Sequence, residues 1–325
     1  MINPFNVIGD KPVTMTIADA MIVANNKINN LQYKTIQCSI SGGADSDIML
    51  DICSKFDEGK KIKYVFFDTG IEYQATKEHL DFLETKYGIE IERVKAKIPV
   101  PLGCRRYGVP FLSKQVSEYI ERLQRHNFKW EDEPFTVLYE RYPNCKGALR
   151  WWCNEWGENS SFNIKKHKYL KEFMIANPPD FSISSKCCTY AKKNPAKKYL
   201  KDNECNAVFL GLRQAEGGIR STAFKNCFTP GEDYDNYRPI FFFTDDDKEK
   251  YEECFDVSHS KCYTEYGLTR TGCAGCPFGS RFETELEVIE KYEPKLFKAI
   301  NNIFGKSYEY MRKYREFKAT YKPDK

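Results

Sequence analysis

Between residues 35 and 94 the sequence alternates short β-prone runs with stretches of helical periodicity, and this alternation restricts the possible folds more than any other feature. The β-prone runs are 35–40, 64–67 and 89–94. The stretches between them carry apolar residues every three or four positions, the spacing of a buried helical stripe: Ile48, Ile52 and Phe56, then Leu80, Leu83 and Tyr87. Alternating strands and helices predict an α/β fold with a parallel, doubly wound, Rossmann-like sheet.

The remainder of the sequence predicts additions to this sheet. A further β-prone run lies at 207–210, whereas residues 105–175 are less regular and are expected to form a helical insertion. We predict one α/β domain over 1–280 with that insertion, followed by a C-terminal helical extension over 281–325. The inner face of the extension is expected to carry Leu286, Ile289, Tyr292 and Leu296.

Two polar loops fall at the carboxyl ends of the first two predicted strands. The first is Ser41-Gly42-Gly43-Ala44-Asp45-Ser46, and the second is Asp68-Thr69-Gly70. Parallel α/β sheets bind ligands at this edge, so both loops are predicted to converge on one crevice.

The first loop has the composition of an anion-binding turn. Glycines let the backbone turn tightly and direct several N–H groups at an anion, and the helix that follows adds its positive N-terminal end. Ser41 and Ser46 can donate hydroxyl hydrogen bonds to phosphate or sulfate oxygens. The alternative is structural, with Ser46 or Asp45 serving as the helix N-cap. The loop is neither a Walker A motif nor a Gly-x-Gly-x-x-Gly dinucleotide fingerprint.

The thirteen cysteines indicate metal ligation or catalysis. With no basic, apolar leader and no run of 18 apolar residues, the chain is expected to be cytoplasmic, in a reducing compartment. Cys187 and Cys188 are adjacent, and 84 residues separate them from the pair Cys273-Ala274-Gly275-Cys276. Four thiolates suit zinc or an iron–sulfur cluster.

These motifs resemble those of the phosphoadenylyl-sulfate (PAPS) reductase family, within the adenine-nucleotide α-hydrolase superfamily. The glycine turn resembles the Ser-Gly-Gly-x-Asp-Ser pyrophosphate (PP) loop, and the cysteine pattern resembles the four-iron motif of adenylyl-sulfate reductases. Other matching segments follow in the family's order: Phe67-Asp68-Thr69-Gly70, Tyr107-Gly108-Val109-Pro110-Phe111, Lys186-Cys187-Cys188, Gly211-Leu212-Arg213, and residues 270–279. Many ATP-cleaving members carry Lys where this chain has Ala44, which favours a nucleotide that is bound intact.

The resemblance implies an enzyme that binds an adenine nucleotide, either a sulfated adenylate or ATP. The nucleotide-binding residues carried over are Ser41, Gly42, Gly43, Asp45, Ser46, Asp68 and Thr69, with Arg213, Arg220 and Lys192 as cations for the anion. The ligands carried over for a 4Fe–4S cluster, with zinc as the alternative, are Cys187, Cys188, Cys273 and Cys276. Cys227 or Cys262 could replace one of the adjacent pair.

The sequence departs from the assimilatory reductases at the nucleophile. Those enzymes attack sulfur with a cysteine near the C-terminus, but here the last cysteine is Cys276 and the final 49 residues contain none. No catalytic residue is therefore assigned. Three functions stay open: a reductase that uses an internal cysteine such as Cys104 or Cys145, an ATP-dependent sulfur transferase like the DNA phosphorothioation member, and a non-catalytic nucleotide and cluster sensor.

The expected partners are the nucleotide, a reductant or sulfur-donor protein, and nucleic acid, but no membrane. Residues 186–201 hold six lysines and no acid, which indicates either a solvated helix face or a surface for anions such as nucleic acid.

Three other groups are expected to be structural. The acids Asp245-Asp246-Asp247 follow Thr244, which predicts a helix capping box rather than a metal site. The tryptophans at 151, 152 and 156 are predicted to pack within the insertion rather than stack on a base. The histidines lack ligand spacing, and only His259, near Cys262, is a candidate for a catalytic role.

Overall fold

The computed structural model describes residues 2–217, 223–279 and 281–321. The chain divides into two compact units. The first comprises Met1–Lys97 and Ala191–Ala274, and the second comprises Ile98–Tyr190 and Gly275–Lys325. The second unit contains both the predicted insertion and the predicted C-terminal extension.

Six strands occur in the described part of the chain, all in the first unit. They are β1 (Ile36–Ile40), β2 (Ile62–Asp68), β3 (Ile91–Lys95), β4 (Ala207–Leu210), β5 (Phe228–Thr229) and β6 (Asp235–Tyr237). The α-helices are α1 (Pro4–Ile8), α2 (Met15–Ile28), α3 (Ala44–Phe56), α4 (Gln74–Tyr87), α5 (Val100–Tyr107), α6 (Lys114–Arg125), α7 (Phe135–Arg141), α8 (Lys146–Trp152), α9 (Leu170–Ala176), α10 (Lys186–Cys188), α11 (Asn194–Asp202), α12 (Asp245–Phe255), α13 (Lys261–Thr264), α14 (Phe282–Tyr292) and α15 (Pro294–Thr320). A single π-helical turn, Thr189–Lys193, joins α10 to α11.

The strands form one mostly parallel sheet in the order β3-β2-β1-β4-β6-β5. Strand β1 pairs in parallel with both β2 and β4, with Cys38 opposite Tyr64 on one side and Phe209 on the other. Only β5 runs antiparallel to its neighbour. The parallel α/β fold predicted from the sequence is therefore confirmed.

Both faces of the sheet are covered, as a doubly wound fold requires. On one face, Ile36, Cys38 and Ile40 of β1 are buried in a core that α2, α3 and α4 also line. On the other face, Val65 of β2 and Val208 of β4 pack in a second cluster that contains Tyr199 and Leu200 of α11. Alternate strand residues are thus buried on opposite faces of the sheet. The loops that follow the strands lie at the carboxyl edge, which neither face covers.

The second unit is helical and has an aromatic core. Phe173 of α9 packs against Tyr310 and Tyr314 of α15, with ring centroids 4.8 and 5.2 Å away. Trp151 and Trp152 are fully buried, so their predicted packing role is confirmed. Trp156 is 36% exposed, with the Arg150 guanidinium 4.0 Å above its ring.

The C-terminal helices differ from the prediction at one position. Leu286 and Ile289 are buried, but Tyr292 is 37% exposed, so its placement on the inner face was wrong. All three residues lie in α14, and at 3.6 residues per turn the six-residue spacing rotates Tyr292 by roughly 120° from Leu286, away from the buried stripe. Within the described ranges, no helix combines the length and the apolar character needed to cross a membrane.

Candidate functional site

The glycine loop joins β1 to α3 and is organised by the hydroxyl of Ser46. Ser46 Oγ accepts hydrogen bonds from the backbone N–H groups of Ser41 and Gly43, both at 3.2 Å, and donates to the Gly43 carbonyl at 2.9 Å. The helix N-cap is Gly43 rather than Asp45 or Ser46. The prediction that Asp45 or Ser46 is the N-cap is therefore wrong. Ser46 lies in the first turn of α3, where its hydroxyl fixes the shape of the loop.

Two positions at this edge of the sheet require glycine, because a side chain there would collide with a neighbouring atom. Gly42 has φ +68°, and a Cβ there would lie 2.6 Å from Cγ2 of Thr76. A Cβ on Gly211, which follows β4, would lie 2.7 Å from the carbonyl oxygen of Asp45. The Gly-Leu-Arg segment therefore supports the glycine loop by direct backbone contact.

Arg213 hydrogen-bonds with two carboxylates at the glycine loop. Its Nε donates to Asp45 Oδ1 at 3.0 Å and its Nη1 donates to Asp245 Oδ1 at 2.8 Å. Burial raises the pKa of Asp45, and the neighbouring Arg213 cation opposes that effect. Arg213 thus neutralises an acid within the loop, and any direct contact with a bound anion stays a prediction.

The predicted capping box on α12 is confirmed. Asp247 N donates to Thr244 Oγ1 at 3.1 Å, and Thr244 N donates to Asp247 Oδ2 at 3.0 Å. No sequence pattern indicated that Asp245, within the same turn, would also pair with Arg213.

The second loop is organised by Glu72, which sequence reasoning missed. Glu72 is buried and accepts hydrogen bonds from Thr69 Oγ1 at 2.6 Å and from Ile71 N at 3.0 Å. Burial raises the pKa of this carboxyl group. Asp68 Oδ1 accepts from Gly70 N at 2.8 Å. Of the other predicted cations, Lys192 is exposed and close enough to Glu72 for their charges to interact, while Arg220 lies outside the described residues.

A predicted thiol ligand reaches the same edge of the sheet. Cys273 Sγ lies 3.5 Å from Thr69 Oγ1, and Ala274 N donates to the Ile71 carbonyl at 3.0 Å. Two residues earlier, Thr271 lies against the glycine loop, since a Cβ on Gly43 would be 3.1 Å from Thr271 Oγ1. The segment 271–274 therefore contacts both loops within the first unit.

The other predicted thiol ligands lie in the second unit. Cys187 hydrogen-bonds with the thiols of Cys104 and Cys188, and it is close enough to Cys276 for a charge there to act on it. The hydrogen bond with Cys104 is the main cause that raises the pKa of Cys187. Thiols are suitable donors for an iron–sulfur cluster or zinc. Across the described ranges, however, no three His, Cys, Asp or Glu side chains are arranged as a ready metal site.

The remaining cysteine candidates occupy other environments. Cys145 donates to the Tyr142 carbonyl at 3.4 Å, and burial raises its pKa, which disfavours the reactive thiolate. Cys262 is fully buried, with its sulfur 3.8 Å from Thr76 Oγ1. Cys227 is partly buried, and its carbonyl accepts from Arg238 N at 2.8 Å.

A histidine–carboxylate network lies directly behind the glycine loop. Asp47, in the first turn of α3, is fully buried, and its Oδ2 is 3.0 Å from His79 Nε2 and 2.9 Å from His259 Nδ1. His259 Nε2 is also 2.8 Å from Glu252 Oε1. Burial alone would lower the pKa of His259, but the hydrogen bonds to Asp47 and Glu252 outweigh it and raise the pKa to about 9. This network holds the start of α3 and was not predicted from histidine spacing.

Residues 35–131 match the family described as the phosphoadenosine phosphosulfate reductase domain. The match includes β1, the glycine loop, Asp68 and Thr69. The predicted resemblance to the PAPS reductase family is therefore confirmed over this stretch.

Among curated proteins, the chain is similar to an uncharacterized protein of Methanocaldococcus jannaschii. The two are 24% identical over 275 residues, which are 83% of this chain and 41% of the relative. The chain thus spans about two-fifths of the length of the curated relative it matches.

Solved structures with partial similarity include three enzymes. PAPS reductase from Candida auris, in a phosphate complex, has a TM-score of 0.42 and 14% identity, and the match covers 82% of this chain and 98% of that one. The U34-tRNA thiolase NcsA from Methanococcus maripaludis, with its 4Fe–4S cluster, has a TM-score of 0.39 and 14% identity, with coverage of 99% and 86%. The NH3-dependent NAD synthetase from Campylobacter jejuni, in complex with nitrate, has a TM-score of 0.37 and 11% identity, with coverage of 95% and 97%.

Proposed function

We propose that this chain is an enzyme of sulfur chemistry that binds an adenine nucleotide, either a sulfated adenylate or ATP, at the glycine loop. The observation that carries the proposal is the contact between Cys273 Sγ and Thr69 Oγ1 at 3.5 Å. This contact brings a thiol to the carboxyl edge of the sheet, at which the glycine loop leads into α3. The PAPS reductase match over residues 35–131 supports the same class of chemistry.

The loop is suited to a phosphate or sulfate group. The proposed binding residues are Ser41, Gly42, Gly43, Asp45 and Ser46, with Asp68 and Thr69 beside them and Lys192, Arg213 and Arg220 as supporting cations. The N-terminus of the 13-residue helix α3 favours negative charge. Asp45 would oppose an anion, and its ion pair with Arg213 at 3.0 Å reduces that repulsion.

We further propose that Cys187, Cys188, Cys273 and Cys276 ligate a 4Fe–4S cluster, with zinc as the alternative metal. A cluster would supply electrons or a sulfur-binding iron to the reaction. Contacts within the second unit support Cys187, Cys188 and Cys276, and the Cys-x-x-Cys motif supports Cys273. Because Cys104 hydrogen-bonds with Cys187, it competes with Cys273 for the fourth position.

Anaerobic purification followed by absorbance spectroscopy and iron, sulfide and zinc assays tests this centre. We expect broad visible absorption and about four irons per chain. Cys187→Ser should lose the cluster, and whichever of Cys104→Ser and Cys273→Ser perturbs its spectrum identifies the fourth ligand. Cys205→Ser is the matched control, since that buried thiol contacts the Asn203 carbonyl. If the assays find stoichiometric zinc without iron, the centre is a structural zinc site and not a cluster.

The reaction is tested by incubating the anaerobic holoprotein separately with PAPS, adenylyl sulfate and ATP. Release of sulfite supports the reductase. AMP and pyrophosphate from ATP support the alternative, an ATP-dependent sulfur transferase, and tight binding without turnover supports a sensor. If Cys273 is the fourth ligand, Cys104 stays available as the internal thiol of a reductase. Cys145 is less suited to that role, because burial raises its pKa. Failure of all three nucleotides to bind would refute the proposal.

The partners proposed are a reductant or sulfur-donor protein and nucleic acid. The lysine-rich segment 186–201 is the proposed nucleic-acid surface, although two of its cations are already in ion pairs. Lys186 lies 2.6 Å from Glu121, and Lys198 pairs with Asp202. Binding to DNA or RNA through the remaining lysines should weaken steeply with added salt.

A further inference from the structure

The second unit contains an open cavity of about 420 Å³ that is lined in part by Cys104, whose thiol hydrogen-bonds with Cys187. This volume lies within the range of small-molecule sites. The cavity is formed where the last turn of α5 faces the middle of α15. The lining residues that matter are Cys104, Arg105, Arg106, Asn301, Asn302 and Lys306.

The cavity carries uncompensated positive charge. Arg105, Arg106 and Lys306 are all exposed, and none of them pairs with a carboxylate among the residues described by the structure. Two other arginines of α15, Arg312 and Arg315, are by contrast both bound to Glu283. The lining includes one acid, Glu309, so the cations exceed the acids by two.

Helix electrostatics explains only part of this charge. Arg105 and Arg106 lie in the last turn of α5, where cations favour the negative end of the helix. Lys306 lies in the interior of α15, where no such benefit applies. Guanidinium groups and carboxamide N–H groups around one concavity have the donor geometry that oxyanions require.

We propose that this cavity binds the oxyanion group of a small molecule of the sulfate, sulfite, thiosulfate or phosphate class. Arg105 and Arg106 would supply paired N–H donors, and Lys306 would supply a third positive charge. Because Cys104 lines the cavity and hydrogen-bonds with Cys187, the anion would be held next to these two thiols. All of its lining residues belong to the second unit, so the proposed site shares no residue with the glycine loop and does not require a nucleotide there.

Isothermal titration of the holoprotein with sulfate, thiosulfate and phosphate at low ionic strength tests the site. The Arg105→Ala/Arg106→Ala double variant should weaken the binding of at least one of these anions by about tenfold or more, because each substitution removes a charge-assisted hydrogen bond to the anion. The matched control is Arg141→Ala/Arg312→Ala, which removes the same charge from two exposed arginines that are already paired. The control should bind the anion as the wild type does.

A second readout locates the anion. The bound anion should slow the modification of the exposed Arg105 and Arg106 by phenylglyoxal, followed by peptide mass spectrometry, whereas the paired Arg141 should react at the same rate with and without the anion. Nucleotide binding at the glycine loop is measured in the same proteins, so its loss and the loss of the cavity site are distinguishable. Equal anion affinity in the double variant and its control would overturn the proposal, as would protection of Arg105 and Arg106 by a single-stranded oligonucleotide but by none of the small anions.

Discussion

Replacement of His259 by glutamine should destabilise the first unit in a pH-dependent way. His259 lies between two carboxylates, 2.9 Å from Asp47 and 2.8 Å from Glu252, and its pKa rises from 6.5 to about 9 on folding. This change corresponds to about 3 kcal/mol. Because the folded pKa is the higher one, the stabilisation is complete below pH 6.5 and disappears as the pH rises through about 9.

Urea unfolding measured from pH 5.5 to 9.5 tests this magnitude. The free energy of unfolding of the wild type should exceed that of His259→Gln by about 3 kcal/mol at the acid end, and the difference should shrink by roughly 1.4 kcal/mol per pH unit between the two pKa values. A difference between wild type and His259→Gln that stays constant over this range would refute the ion-pair reasoning.

Three other outcomes are expected. Gly211→Ala should displace the glycine loop and weaken nucleotide binding, because its Cβ would lie 2.7 Å from the Asp45 carbonyl oxygen; Gly305→Ala, where a Cβ meets no atom within 4 Å, is the control, and equal affinity in both would contradict the contact. Tyr251→Phe should cost about 1–2 kcal/mol in urea unfolding, since the hydroxyl donates to buried Asp51 at 2.6 Å, and an unchanged midpoint would argue against that bond. Filter binding of DNA and RNA should fall steeply between low and physiological salt if the 186–201 segment contacts phosphates, and a flat salt profile would exclude it.

The local sequence pattern was sufficient for four of the six described strands and for the loops that follow β1 and β2. Apolar spacing around Ile48 and Leu80, interrupted by β-prone runs, predicted α3, α4 and the strands β1–β4, because helical and extended periodicity are properties of neighbouring residues. The same holds for the Thr244–Asp247 capping box, whose partners are three residues apart. The short strands β5 and β6 were not predicted. The pattern failed at Tyr292, because a repeat of three residues from Leu286 drifts off one face of a helix that has 3.6 residues per turn.

The sequence by itself determined strands β1–β4, the glycine loop and the family resemblance, since each depends on contiguous residues. Only the tertiary structure paired His259 with Asp47, 212 residues away, and Arg213 with Asp45, 168 residues away. It also put Cys273 beside Thr69 and Cys104 beside Cys187. These contacts depend on which strand edges and helix ends are brought together by burial of the apolar core, and no local spacing encodes that outcome.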